Sequence, residues 1–333
     1  MNKFDYFALG LMGALVTGLV ASAVHAPVTG VTLAPRAALV GSAWTPIAPR
    51  VAALPAPAET VVAPEGEPVA KLVVPTVKTV SSQFAEIGYD LESVFKGKDR
   101  VPRLMLARIP ADIKDIRETK VRKAIFFQTV LPLVLQANEE IAADRERLWK
   151  IRVDLARGKK IGAIDRLWIT MISEKYAVKR GNLDELIRRI DVVPPSLALA
   201  QAAEESGWGT SRFVREGNAI FGQWTFKPAQ GLKPKARDEG KTHRVRAFDS
   251  LLDSVRAYVR NLNTHRAYRE FRKKRAAMRH AGQPVDGVQL AMTLTSYSQR
   301  GPDYVATLHR IMGTNTLHKL DGARLRDEAE PLI

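Results

Sequence analysis

Val192–Phe226 reads VVPPSLALAQAAEESGWGTSRFVREGNAIFGQWTF. Pro194 and Pro195 halt the preceding segment and open a helix, since proline is tolerated in a first turn. On a 100° wheel, Ala198, Leu199, Ala202 and Ala203 form the inward arc of Ser196–Ser206. Glu205 falls at the edge of that arc and Glu204 on the far side, nearer solvent. A carboxyl at the edge of an apolar face is partly desolvated, which penalises its charged form and suits a general acid. Gly207 and Gly209 flank Trp208. They end the helix and either swing the indole into a cleft, where its face can stack on a sugar ring, or leave it as a core tryptophan beside a glycine cap. Asn218, Phe221, Gly222, Gln223 and Trp224 follow within one short run, and cleft lining and substrate contact are expected of them.

Outward from this stretch the texture is helical. Upstream, Lys120 to Asn138 is an apolar helix that Pro132 should kink. Glu139 to Arg157 is amphipathic, with Ile141, Leu148, Trp149, Ile151 and Leu155 as its expected buried set. Ala163 to Ala177 repeats the pattern with Leu167, Trp168, Met171 and Ile172. Asn182 reads as the N-cap of LDELIRRI. Downstream, Phe226 to Phe248 lacks helical periodicity and predicts a loop and a small β-hairpin. Asp249 or Ser250 caps a helix whose Leu251, Leu252, Val255, Tyr258, Val259 and Leu262 share one face. REFRKKRAAMRH, Arg269 to His280, reads as a basic, solvated helix. Two further helices are expected around Val285–Tyr297 and Pro302–Met312. The polar tail from Asp321 is expected to fray. The fold class is mainly α (α+β) with one small β lobe.

AQAAEESGWGTSRF followed by GNAIFGQWTF resembles the bacterial glucosaminidases of glycoside hydrolase family 73, and closely the Bax-like branch. VPRLMLARIP, RKAIFFQTVLPLVLQANEEI and YSQRGPDYVATLHRIM extend the resemblance over about Val101 to Met312. It implies a lysozyme-like α fold and cleavage of β-1,4 bonds after N-acetylglucosamine in peptidoglycan. Carried onto this chain, the family's catalytic glutamate is Glu205. The second carboxylate is placed in the β lobe, where Glu239 is the first choice and Asp238 its neighbour and rival. Sugars with a 2-acetamido group can instead supply their own nucleophile. Tyr297 and Tyr304 match the downstream tyrosine motif. Tyr297 is expected to meet the acetamido group or orient water, and Tyr304 to pack. Trp208 joins the substrate-binding set.

The chain has 333 residues, a formal net charge of +16 and no cysteine. Disulfides, cysteine metal sites and cysteine nucleophiles are therefore excluded. Lys3, Arg36, Arg50 and Lys71 balance Asp5, Glu59, Glu65 and Glu67, so the positive excess lies beyond residue 75. That charge calls for an acidic partner surface. The six histidines show no metal spacing, and no phosphate- or dinucleotide-binding motif is present. No cofactor, no metal and no nucleic-acid partner are expected; peptidoglycan glycan strands are. Residues 6–24 form an uncharged run at the border between a signal peptide and a membrane anchor of roughly 20 residues. Export to the periplasm or cell envelope follows from either. The expected organisation is a signal or anchor (1–26), an Ala/Pro-rich linker (27–79), a helical N-terminal part (80–188), a catalytic core (189–320) and a flexible tail (321–333). A lytic transglycosylase, and a non-catalytic basic protein that binds anionic envelope polymer, are the alternatives.

Overall fold

The computed structural model describes residues 75–234 and 244–327. The expected anchor at 6–24, most of the linker, Asp238 and Glu239 lie outside the described residues. Among the described residues no helix is long and apolar enough to cross a membrane.

The architecture is mainly α with one small sheet, the lysozyme-like arrangement. Helices α1 (Val77–Glu86) and α2 (Leu91–Phe95) lead into α3 (Thr119–Ala156), then α4 (Ala163–Lys175), α5 (Leu183–Arg189), α6 (Pro195–Ser206) and α7 (Arg212–Gly217). Strands β1 (Trp224–Thr225), β2 (Gly231–Leu232) and β3 (Arg244–Arg246) follow. Then come α8 (Leu251–Thr264), α9 (Arg269–His280), α10 (Gly287–Ala291) and α11 (Pro302–Thr314). Local caps set many of these limits. Asn182 accepts from the Glu185 amide at 3.0 Å to start α5, and Ser250 accepts from the Asp253 amide at 3.1 Å to start α8. The hairpin expected after Phe226 is formed by β2 and β3, which pair antiparallel with Gly231 opposite Arg246. Strand β1 joins the other edge of β3, with Trp224 opposite Val245, to complete a three-stranded sheet in the order β1-β3-β2.

At the centre of the helical body is α6. Helices α3, α10 and α11 and the 3₁₀ turn Leu317–Leu320 pack around it. Every residue from Pro195 to Ala203 is buried, not only the arc on one side. A helix that is buried on all sides must be apolar or small all round, as this one is except at Gln201, whose amide is hydrogen-bonded at both ends. Burying Leu197 and Leu199 stabilises the fold by roughly 1.5–3 kcal/mol each. Gly287 lets α10 approach, because a Cβ there would lie 2.0 Å from the Ser196 hydroxyl.

Several expectations are corrected. Lys120–Asn138 and Glu139–Arg157 are one continuous helix, α3, that runs through Pro132. On its last turns Trp149 and Leu155 are each 40% exposed, and on α4 Leu167 and Met171 are solvent-facing. Helix α9 is not simply solvated: Arg272 and Arg275 are buried. The Arg275 guanidinium donates to the carbonyls of Arg188, Asp191 and Val192 and to Asn263 Oδ1. It thereby satisfies carbonyls that the end of α5 leaves unpaired, the role a cation takes at a helix C-terminus. The tail from Asp321 to Asp327 does not fray. Asp321 accepts from the Ser196 amide at 2.8 Å and the Ser196 hydroxyl at 2.9 Å. It thus caps α6, whose own N-cap, Pro194, has no side-chain acceptor. Leu325 is buried and bridges Val101 in parallel.

Candidate active site

At the C-terminal end of α6 the backbone turns sharply. Gly207 (φ 58°), Trp208 (φ 59°) and Gly209 (φ 80°) are successively left-handed. A tryptophan in that region is strained, at a cost on the order of 1–3 kcal/mol. At Gly209 there is no room for a side chain, since a Cβ would come within 2.7 Å of Ile109. The Ser206 hydroxyl ties the turn by accepting from the Gly209 amide at 3.0 Å. The turn carries Trp208 back onto the helical body. Its ring meets Phe126 at 5.9 Å and Phe127 at 5.4 Å, edge to face, with the Lys123 ammonium 4.6 Å above it. The indole therefore belongs to an aromatic cluster on α3, which corrects its expected place in a cleft.

Glu205 is partly buried in the last turn of α6. Its Oε1 accepts a 3.0 Å hydrogen bond from the Tyr304 hydroxyl. Tyr304 O in turn accepts from Gln201 Nε2 at 2.9 Å, and Gln201 Oε1 accepts from the Tyr258 hydroxyl at 2.7 Å. With the amide nitrogen donating to it, the Tyr304 oxygen turns its own proton toward Glu205. The buried chain Tyr258–Gln201–Tyr304 therefore ends on the candidate acid. Desolvation pushes the Glu205 carboxyl up to about 7, with the Glu204 charge adding to the rise; the Tyr304 bond and Arg300 oppose it. Tyr304, expected to pack, is thus the residue that touches the acid. Tyr297 is buried and stacks on the Tyr304 ring at 5.4 Å and 5°. Tyr268 lies 5.7 Å from Tyr297. Burial raises the hydroxyl pKa of Tyr258, Tyr268, Tyr297 and Tyr304, and the Glu205 charge adds to the rise in each. Tyr304 touches the carboxyl, and the other three tyrosines feel its charge.

Glu204 is not the free surface residue its wheel position suggests. It pairs with Arg300 at 2.7 Å, and Arg300 also donates to Thr307. Among the described residues, Glu204 is the one carboxylate whose charge bears on Glu205.

The second aromatic cluster divides. Asn218 is fully buried in a left-handed C-cap position and donates to the carbonyls of Phe248 and Asp249 at 3.0 and 3.1 Å. Phe221 is buried and lies flat on Tyr258, 3.8 Å between centroids. The expected substrate contact is corrected for both: they clamp the end of α7 to the start of α8. Gly222 (φ 58°) makes the turn that leads into the sheet. Gln223 and Trp224 are partly exposed on the sheet side, where the Gln223 carbonyl accepts from Arg246 N at 2.7 Å. Phe226, just beyond β1, is 72% exposed and is an aromatic face that the sequence patterns do not single out. Gln201 and Arg300 are also absent from the residues those patterns point to, and Tyr258 enters them only as part of the apolar face of its helix. A glutamine in a run of alanines is the available signal; its two partners, 57 and 103 positions away, give none.

A separate cleft of about 570 Å³ lies between α3, the end of α4, α8 and the sheet, lined in part by Glu140, Tyr176, Arg246 and Arg260. It contains none of the candidate site residues, and much of its charge is internally paired, as in Arg256–Glu140. Among the described residues no group of three or more His, Asp or Glu side chains converges to hold a metal ion.

A mainly α body, a small sheet beside it and a half-desolvated helix-end carboxyl define a lysozyme-like glycosidase domain. Sequence comparison agrees. The glucosaminidase family model, described as mannosyl-glycoprotein endo-beta-N-acetylglucosaminidase, matches residues 182–317. Protein bax of Escherichia coli (strain K12) is 36% identical over 199 residues, 58% of this chain and 69% of that protein. The chain belongs to the Bax-like glucosaminidase family. No solved structure matches it.

Proposed function

We propose that the protein is an endo-β-N-acetylglucosaminidase of the cell envelope that cleaves β-1,4 bonds after N-acetylglucosamine in peptidoglycan. The observation that carries this reading is Glu205: a carboxyl held by Tyr304 and pushed up to about 7, so that it keeps a proton at near-neutral pH. A general acid works best when its pKa lies near the working pH. In the proposed reaction Glu205 donates that proton to the glycosidic oxygen as the bond lengthens. The positive charge growing at the anomeric carbon is met by Glu239 or Asp238, or by the 2-acetamido oxygen of the substrate. Gln223, Trp224 and Phe226 present amide and aromatic surface on the sheet side for the glycan.

Glu205→Gln keeps the shape and loses the proton. The expected result is loss of purified-peptidoglycan digestion by roughly a hundredfold or more, the scale of a general acid's contribution, with an unchanged circular dichroism spectrum. Digestion at the parent rate by a folded Glu205→Gln variant would remove the assignment.

The second reading, a lytic transglycosylase, is favoured by one observation: the carboxylate nearest in effect, Glu204, is committed to Arg300. A transglycosylase needs an acid/base but no added water. Mass spectrometry of the released muropeptides separates the two readings. Reducing N-acetylglucosamine ends support the hydrolase, and 1,6-anhydro-muramic ends support the transglycosylase.

A further inference from the structure

Helix α4 is apolar on two faces. Ile172, Ser173 and Tyr176 turn inward and are buried. On the opposite side Ile164, Leu167 and Met171, at i, i+3 and i+7, are 79, 62 and 60% exposed. A surface helix ordinarily carries polar residues there, and a grouped exposed apolar face marks an interaction site. The outward orientation is held by the ion pairs Arg147–Asp165 at 2.8 Å and Lys175–Asp144 at 3.2 Å, and by the Arg147 guanidinium over the Trp168 ring at 4.6 Å. The loop that delivers the chain from α3 into this stripe is cationic: Arg157, Lys159 and Lys160 are all exposed. Lys159 is neutralised by Asp154 at 2.8 Å, whereas Arg157 and Lys160 enter no ion pair among the described residues. On the last turns of α3, Trp149 and Val153 are also 40% exposed.

We propose that the α3–α4 hairpin is a membrane-docking element for anionic phospholipid. Ile164, Leu167 and Met171 seat at the boundary between headgroups and acyl chains, and Arg157 and Lys160 engage lipid phosphates. Apolar side chains beside unpaired cations are the two features that an interfacial element needs. Charge decides the occupant. A second copy related by two-fold symmetry would bring the carboxylates of α4, Asp165 and Glu174, toward the loop. These are already engaged by Arg147 and Arg180, so Arg157 and Lys160 would gain no free acidic partner. An anionic bilayer supplies both an apolar layer and the opposite charge. This inference does not depend on the activity proposed for Glu205.

The native chain contains no cysteine, so a single introduced thiol reports one place. The full chain carrying Met171→Cys, labelled with an environment-sensitive dye, is titrated with phosphatidylglycerol vesicles and with phosphatidylcholine vesicles. A second protein labelled through Lys274→Cys, on an exposed position of α9, serves as the reference. The expected result is a blue shift at position 171 with phosphatidylglycerol alone, with about twofold or greater quenching by brominated acyl chains. No change is expected at position 274. Arg157→Glu with Lys160→Glu is expected to weaken the apparent vesicle affinity by roughly tenfold or more, given about 1 kcal/mol per basic residue at an anionic surface. Three outcomes overturn the proposal: no shift with anionic vesicles; an equal response to both lipids; or a dye already in an apolar setting before vesicles are added. The last means that another segment of the chain or a second copy covers the stripe.

Discussion

At the scale of single residues, the candidate acid is governed by opposing influences of known sign. Desolvation and Glu204 favour the protonated form of Glu205, while the Tyr304 hydroxyl and Arg300 favour the charged one. Tyr304→Phe removes a donor to the carboxylate, so the pKa rises further. The alkaline limb of the pH–activity profile is expected to move up by about one pH unit, the equivalent of roughly 1.4 kcal/mol. Gln201→Met keeps the volume but frees the Tyr304 hydroxyl from its fixed direction, so a smaller shift of the same sign is expected. An alkaline limb unmoved in both variants would show that the tyrosine does not bear on the acid. The raised pKa also affects stability. The folded value lies above the unfolded value of about 4.3, so the unfolded state releases the proton first as pH rises. The contribution of Glu205 to stability is full below about pH 4 and is lost as pH rises through about 7. Glu205→Gln is therefore expected to melt at a higher temperature than the parent at about pH 8, with the gap closing toward about pH 4.

At the scale of elements, α9 shows how a charged helix can hold a fold together from inside. Arg275 is fully buried against backbone carbonyls near the end of α5, with Asp191 beside it. Burial alone would raise the Asp191 carboxyl, but Arg275, Arg279 and Arg145 together hold it below the usual carboxylate range. Arg275→Met removes the donors and leaves buried acceptors without them. The expected destabilisation is about 3–5 kcal/mol, the range for breaking a buried ionic contact from one side, and chemical denaturation measures it. Lys273→Met, on the exposed side of the same helix, is the control and is expected to change stability by less than about 0.5 kcal/mol. Helix α4 shows the reverse case, since its periodicity reads as a core helix while one apolar face is left in water.

At the scale of the whole molecule, the chain closes on itself. Residues 321–327 return to the start of the described fold: the Val101 amide donates to the Arg324 carbonyl at 2.9 Å, and the Arg326 amide to the Val101 carbonyl at 2.8 Å. The same segment brings Asp321 to the N-terminus of α6, so the helix that bears Glu205 is capped from 125 positions away. Ending the chain after Leu320 removes that cap and the buried Leu325. Together they are worth roughly 3 kcal/mol, and a fall in melting temperature of about 5–10 °C is expected for a domain of this size. A thermal melt of the shortened chain indistinguishable from that of the parent would show that the return is dispensable.

Short-range signals determined where α6 begins and ends, that Asn182 and one of Asp249 and Ser250 start helices, and that Glu205 stands at the rim of an apolar surface. Prolines, glycines, side-chain caps and helical periodicity act within a turn or two of themselves, so they are visible in the order of residues. Tertiary structure alone decided which tyrosine reaches Glu205, that Arg300 takes Glu204, and that Trp208, Asn218 and Phe221 serve the scaffold. It also decided that Leu167 and Met171 face outward. Each of these depends on partners dozens of positions or more away, or on which of two apolar faces the body covers. A wheel drawn from one helix cannot distinguish those cases, because burial belongs to the assembled packing and not to the segment.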